Sequence, residues 1–174
     1  TKIIKKISKT NKIDFLICFG GDGTMLKAAH LVNKLNIPIT GINTGRLGFL
    51  ANIPKQNISD LIISLKNKNF DISPRSIIKV YTSPKIKSSI SKFAINEVSI
   101  TEKNHLSLIS IKAYVNGNFL NTYWGDGLIV STPTGSTAHS LSCGGPIVMP
   151  DSENFIITPI SSHNLNVRPL VISN

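Results

Sequence analysis

The stretch that most limits how this chain can fold is "FGGDGTML", Phe19–Leu26, which follows the apolar run "DFLICF", Asp14–Phe19. A short continuous apolar run is the pattern of a strand buried on both faces. Gly-Gly-Asp-Gly cannot extend it, because these residues are depleted from strands and mark turns. Beyond the corner, "TMLKAAHLVNKLN" sets Met25, Ala28, Ala29, Val32 and Leu35 at helical spacing. The helix is expected to begin near Thr24 and to end before Pro38. Gly20, Gly21 and Gly23 leave backbone open to close approach by a ligand, and the positive end of the helix favours phosphate there. Asp22 would repel phosphate, so a carboxylate at this corner suits a general base for a hydroxyl nucleophile or a magnesium partner. A plain helix cap with glycines that only turn the chain is the structural alternative. No Gly-Lys-Ser/Thr follows, so this is not a Walker A loop.

The alternation continues. Lys2–Lys12 reads as the end of a basic helix, "IPITGIN" as a second buried strand, and "SDLIISLKNKN" as an amphipathic helix with a Ser-Asp cap. Strand and helix in turn predict a parallel α/β unit over residues 1–74. After Pro74 the runs "RSIIKVYT", "KFAINEVSIT", "SLISIKAYV", "NFLNTYW" and "GLIVST" are strand-like, and Asn116-Gly117 between two of them suits a two-residue hairpin turn. The fold class expected is therefore α/β + β, with a mainly β domain over 75–174. A start at Thr1 and a stop at "LVISN" lead us to expect a piece of a longer protein.

A net charge of +10 suits anionic partners such as nucleotides, nucleic acid or a membrane surface, although scattered lysines reflect compositional bias equally well. Interleaved basic and aromatic residues, the pattern of a nucleic-acid platform, are missing. Cys18 and Cys143 make neither a disulfide framework nor a metal motif, and no apolar window reaches the ~18 residues of a membrane span. A cytoplasmic location is expected. The histidines, His30, His105 and His163 among them, lack metal-ligand spacing, and no nucleophile has a base beside it, so acyl transfer has no support.

Two further segments carry polar groups where apolar ones are expected. In "GDGLIVSTPTGSTAHSLSCGGP", Gly125–Pro146, a strand runs into Ser136, Thr137 and backbone groups suited to a polar ligand at the start of a short helix. Solvent-facing hydroxyls at a simple turn are the alternative. In "AINEVSI", Asn96 and Glu97 interrupt an apolar strand; adjacent side chains point to opposite faces, so a strand end or bulge facing a ligand would relieve the conflict. Asn and Glu suit sugar hydroxyls or an adenine edge, and an edge strand in water is the alternative.

Read in order, "GGDGTML", "NTGRLGFL", "AINEVSI", "DGLIVSTPTGSTAHSLSCGGP" and "ITPISSHNLNVRPLVI" resemble the bacterial NAD kinase family from about Lys12 to the end. "GGDGT" alone is shared with lipid kinases of the diacylglycerol type; the long hydroxyl-rich segment with "NE" is specific. The resemblance implies an α/β domain followed by a β-rich domain. It implies transfer of the ATP γ-phosphate to the 2′-hydroxyl of the adenosine ribose of NAD, giving NADP, with a divalent metal such as Mg²⁺. By the same resemblance Asp22 is the catalytic base. Gly23 presents backbone to phosphate, Lys27 reaches the dinucleotide, and Phe49 lines the adenosine pocket. Asn96 and Glu97 contact the adenosine portion, and Asp126 the nicotinamide end. Thr137, Ala138, His139, Ser140, Leu141 and Ser142 embrace the dinucleotide. The resemblance also implies a homo-oligomer, with NAD and ATP as partners and neither nucleic acid nor membrane. His139 departs from the family's usual tyrosine, and Ser107 stands where a basic residue is common. A lipid kinase and a non-catalytic NAD(P)-binding protein are the alternatives.

Overall fold

The computed structural model describes residues 13–32, 35–85, 92–102 and 107–173. The expected basic helix at Lys2–Lys12 and the loop histidine His105 lie outside the described residues. The chain divides into two compact units, Thr1–Ile72 and Ser73–Asn174.

In the first unit, β1 (Leu16–Phe19), α1 (Asp22–Val32), β2 (Ile39–Asn43), β3 (Ile53–Pro54) and α2 (Ile58–Lys66) follow one another. The three strands form a parallel sheet in the order β1-β2-β3, with Cys18 opposite Gly41 and Asn43 opposite Pro54. Ala28 and Val32 on α1 are buried, as the helical spacing requires. A Cβ on Gly41 would meet the Met25 sulfur at 2.6 Å, which identifies the Cys18/Gly41 face as the one against α1. On the opposite face of β1, Ile17 and Phe19 are exposed, so the strand buries one face and not two. Among the described residues β1 has a strand neighbour on one side only, and its period of two gives only alternate residues to α1. α2 also departs from expectation. It begins at Ile58 after a 3-10 turn over Lys55–Asn57, so Ser59 and Asp60 lie inside its first turn and are not caps.

The second unit is antiparallel. β6 (Glu97–Thr101), β9 (Gly127–Ser131), β10 (Asn154–Ile160) and β11 (Leu170–Ser173) form a sheet in the order β11-β10-β9-β6. β7 (Ile109–Val115) and β8 (Asn118–Gly125) make a hairpin, and β4 (Ile78–Lys79) pairs with β5 (Phe93–Ala94). The hairpin turns at Asn116 and Gly117, both with positive φ (51° and 82°), the conformation that Asn-Gly supplies at least cost. Its inner face contributes Tyr123, Ile111, Ala113 and Val115 to a core shared with Leu128 and Ile157 of the four-stranded sheet. After β9 the chain makes a 3-10 turn, Thr134–Thr137, and a single short helix, α3 (His139–Ser142). Among the described residues no helix is long and apolar enough to cross a membrane.

Candidate functional site

The glycine corner starts α1 two residues earlier than its apolar spacing suggests. The Gly21 carbonyl accepts the N–H groups of Thr24 (2.9 Å) and Met25 (3.3 Å), which puts Asp22 in the first turn of the helix. The Asp22 carboxylate turns to a loop 27 to 29 residues away. Oδ2 accepts the Phe49 N–H at 2.9 Å, and Oδ1 accepts those of Leu50 at 3.0 Å and Ala51 at 2.9 Å. Burial pushes the Asp22 pKa up, but the three amide bonds outweigh it and hold the carboxyl below the usual carboxylate range. The group is therefore ionised, oriented and only partly exposed.

Gly48 is part of this arrangement for a steric reason. A Cβ there would collide with the Asp22 carboxylate, its Cγ lying 2.6 Å away. At Gly21 and Gly23, by contrast, a Cβ would meet nothing within 4 Å, so backbone beside the acid faces open space. Lys27, one turn further along α1, is exposed, and so are Leu47 and Phe49. The structure thus gathers Asp22, Gly23 and Phe49 in one place, with Lys27 adjacent on the helix. Asn43 was not foreseen. Buried at the end of β2, its Nδ2 donates to the carbonyls of Arg46 (2.7 Å) and Ala51 (2.9 Å), and its Oδ1 accepts the Gly45 N–H (2.8 Å). An Asn directly before a Thr-Gly turn is the available signal for such a side-chain-to-backbone turn.

In the second unit, the run "KFAINEVSIT" is two strands, not one. β5 stops at Ala94, β6 starts at Glu97, and Asn96 sits in the break. The break is pinned by the segment after β9. The Asn96 carbonyl accepts the Thr132 N–H (2.8 Å) and the Ser131 hydroxyl (3.3 Å), and Thr132 Oγ1 donates to the Ile95 carbonyl (2.5 Å). Gly135 fits against it only because it lacks a side chain, since a Cβ would lie 2.7 Å from the Asn96 Cα. Among the described residues β6 is an edge strand, yet these side chains are not simply in water. Asn96 Oδ1, Glu97 Oε2 and Thr134 Oγ1 are sealed from solvent without a hydrogen-bond partner. Burial pushes the Glu97 carboxyl up, and the nearby His139 draws it partly back. Unpaired buried polar atoms are uncommon and costly; Tyr123 Oη in the core is a fourth, but Asn96, Glu97 and Thr134 flank the pinned break, which makes these three the candidate group for a ligand.

The hydroxyls after β9 divide into two kinds. Ser136 exchanges hydrogen bonds with Val148, donating to its carbonyl at 3.2 Å and accepting its N–H at 3.1 Å. Ser140 is fully buried with its Oγ 2.8 Å from Thr158 Oγ1. Both hold the chain rather than face outward. Thr137 and Ala138 are half-buried, whereas His139, Leu141 and Ser142 are exposed on α3. Asp126 is exposed before the start of β9, and the 3-10 turn and α3 follow that strand's end. Five strand residues separate them, on the order of 15–20 Å by the strand rise. Among the described residues no three His, Cys, Asp or Glu side chains are grouped so as to hold a metal.

Comparison with known proteins bears on both units. A family model described as the ATP-NAD kinase N-terminal domain matches residues 4–70, and one described as the C-terminal domain matches 95–174. The chain is similar to the NAD kinase of Christiangramia forsetii, with 49% identity over 165 residues, 94% of this chain and 56% of the relative. It is similar to that of Cytophaga hutchinsonii, with 50% identity over 161 residues, 92% of this chain and 55% of the relative. The chain thus spans a little over half the length of these curated relatives. Among solved structures, yeast NADH kinase complexed with NADH superposes with a TM-score of 0.83 at 31% identity, over 94% of this chain and 48% of that one. An NAD kinase from Archaeoglobus fulgidus in complex with ATP gives 0.75 at 30% identity, over 99% of this chain and 66% of that one.

Proposed function

The chain belongs to the NAD kinase family, and we propose that the protein transfers the γ-phosphate of ATP to the 2′-hydroxyl of the adenosine ribose of NAD, giving NADP and ADP. The observation that carries this is the Asp22 carboxylate, fixed by three backbone amides at the start of α1 beside the unobstructed backbone of Gly21 and Gly23. Asp22 takes the proton of the 2′-hydroxyl as that oxygen bonds to the γ-phosphorus, and the bond to the β–γ bridging oxygen breaks to release ADP. Its lowered pKa makes it a weak base but keeps it charged across the working range. A weak base is enough where bond breaking to the leaving group runs ahead of attack, so that positioning dominates.

In the other unit Asn96 and Glu97 receive the adenosine portion, with Thr137, Ala138, His139, Leu141 and Ser142 along it, Ser140 bracing this segment from within, and Asp126 towards the nicotinamide end. The strand-length spacing within this unit suits a dinucleotide's two ends. In the first unit, beside Asp22, Phe49 offers an exposed ring to the nucleotide, Lys27 a cation and Gly23 its backbone to the phosphates. A divalent ion such as Mg²⁺ would come with the nucleotide substrate, held chiefly by its phosphates, and would supply charge neutralisation there. A cytoplasmic homo-oligomer is the setting that the family resemblance supports.

Asp22→Asn tests the assignment. NAD binding, read by calorimetry, should persist broadly, while turnover falls by about 10²–10⁴, the usual contribution of a positioned base. Wild-type turnover in that variant would refute the role given to Asp22.

A further inference from the structure

Seven residues, 44–50, leave the end of β2 and return at Ala51 without regular structure, and most of them are exposed. Such a segment has few packed contacts to fix it, yet it delivers the amides on which Asp22 depends. Two side chains hold it with six hydrogen bonds. Asp22 takes three from the far limb, and Asn43 takes the base of the loop from inside the sheet. The two grips meet at one residue. Ala51, fully buried, gives its N–H to Asp22 and its carbonyl to Asn43. The orientation of the Asn43 amide is set by its partners, because exchanging N and O would put its oxygen against two carbonyls and its NH₂ against an N–H.

Resting on Asp22 as the reacting carboxylate, we propose that Asn43 is a positioning residue for phosphoryl transfer, holding Ala51 so that the Phe49–Ala51 amides meet Asp22. Asn43 touches no reacting atom in this scheme and acts only through Asp22. Its requirement is chemical as well as steric. Aspartate can still accept from Gly45 but cannot donate to Arg46 and Ala51. Serine keeps the turn to Gly45 but is too short to reach Ala51.

The experiment is a double-mutant cycle in the intact enzyme. Asn43→Ser should lower kcat by about 10-fold or more with little change in KM for ATP, and Asn43→Asp at least as much. As the amides slacken, the acid limb of kcat should move to higher pH, towards the ordinary carboxylate range. In an Asp22→Asn background either substitution should lower kcat no further. Amide hydrogen exchange at Phe49, Leu50 and Ala51 should quicken in Asn43→Ser, a readout independent of turnover. Additive losses in the double variant, or an unmoved acid limb, would overturn the role of Asn43 while leaving Asp22 intact. Full turnover in Asp22→Asn alone would remove the premise, and the two failures are thereby told apart.

Discussion

The two units each place one carboxylate at a loop held by backbone hydrogen bonds, but they treat the charge oppositely. Asp22 receives three amides and its pKa is lowered. Glu97 has a sealed oxygen with no partner, and its pKa is raised by burial. One acid is satisfied before any ligand arrives; the other is left wanting. Environments that push two carboxyl groups apart are a means of giving them different tasks. Asp22 suits a charged, fixed role at the reacting hydroxyl, whereas the deficit at Glu97, Asn96 and Thr134 is the kind that a hydrogen-bonding ligand removes.

The sharpest way to break the contrast is to spoil the satisfied side. Gly48→Ala puts a methyl where the Asp22 carboxylate lies, so either the acid or the loop must move and the amide bonds lengthen. We expect turnover to drop about 10²-fold, the scale of a displacement near 1 Å at a reacting group. Binding of NAD should change much less, which parallel calorimetry checks. Near-normal turnover would mean that the Asp22 amides are dispensable.

Glu97→Gln tests the unsatisfied side, with a smaller expected effect. Because the folded pKa is raised, the cost of ionising Glu97 is absent below the ordinary carboxylate range and grows as pH rises through the folded value. At neutral pH the neutral amide should therefore stabilise the ligand-free protein, on the order of 1 kcal/mol. That gain should fade in acid. NAD affinity should fall about 10-fold if Glu97 accepts a ligand hydrogen bond. Thermal melts across pH, with and without NAD, read both signs; a variant less stable than wild type at neutral pH would contradict the raised pKa.

Sequence signals reached these sites unequally. The turn at Asn116-Gly117 was legible because positive φ restricts the residue choice. The corner at Gly20–Gly23 was legible because strands reject those residues. The break at Asn96 could be read only as a conflict of polarity, and its cause, capture by Ser131 and Thr132, lies 35 residues or more along the chain. Asn43 and Gly48 were invisible for a related reason. Their partners are set by tertiary contact, and within a loop Asn and Gly are ordinary. β1 is a different case: an apolar run signals a strand covered on both faces, but among the described residues only the Cys18 face has a helix against it.

The smallest effects should separate hydroxyls that hold the chain from the one that does not. Ser136 both donates to and accepts from the Val148 backbone, so Ser136→Ala leaves two half-buried backbone groups without this partner and should destabilise by about 1 kcal/mol. Thr134 lies two residues away with its Oγ1 equally sealed but unpartnered. Thr134→Val replaces that oxygen with a methyl of nearly the same shape, so the ligand-free protein should be unchanged or gain up to about 1 kcal/mol. The loss should appear only with ligand, as a severalfold weaker affinity for NAD in calorimetry. If Thr134→Val instead destabilised the free protein as much as Ser136→Ala, its hydroxyl would be a structural one. The deficit facing the ligand would then shrink to Asn96 and Glu97.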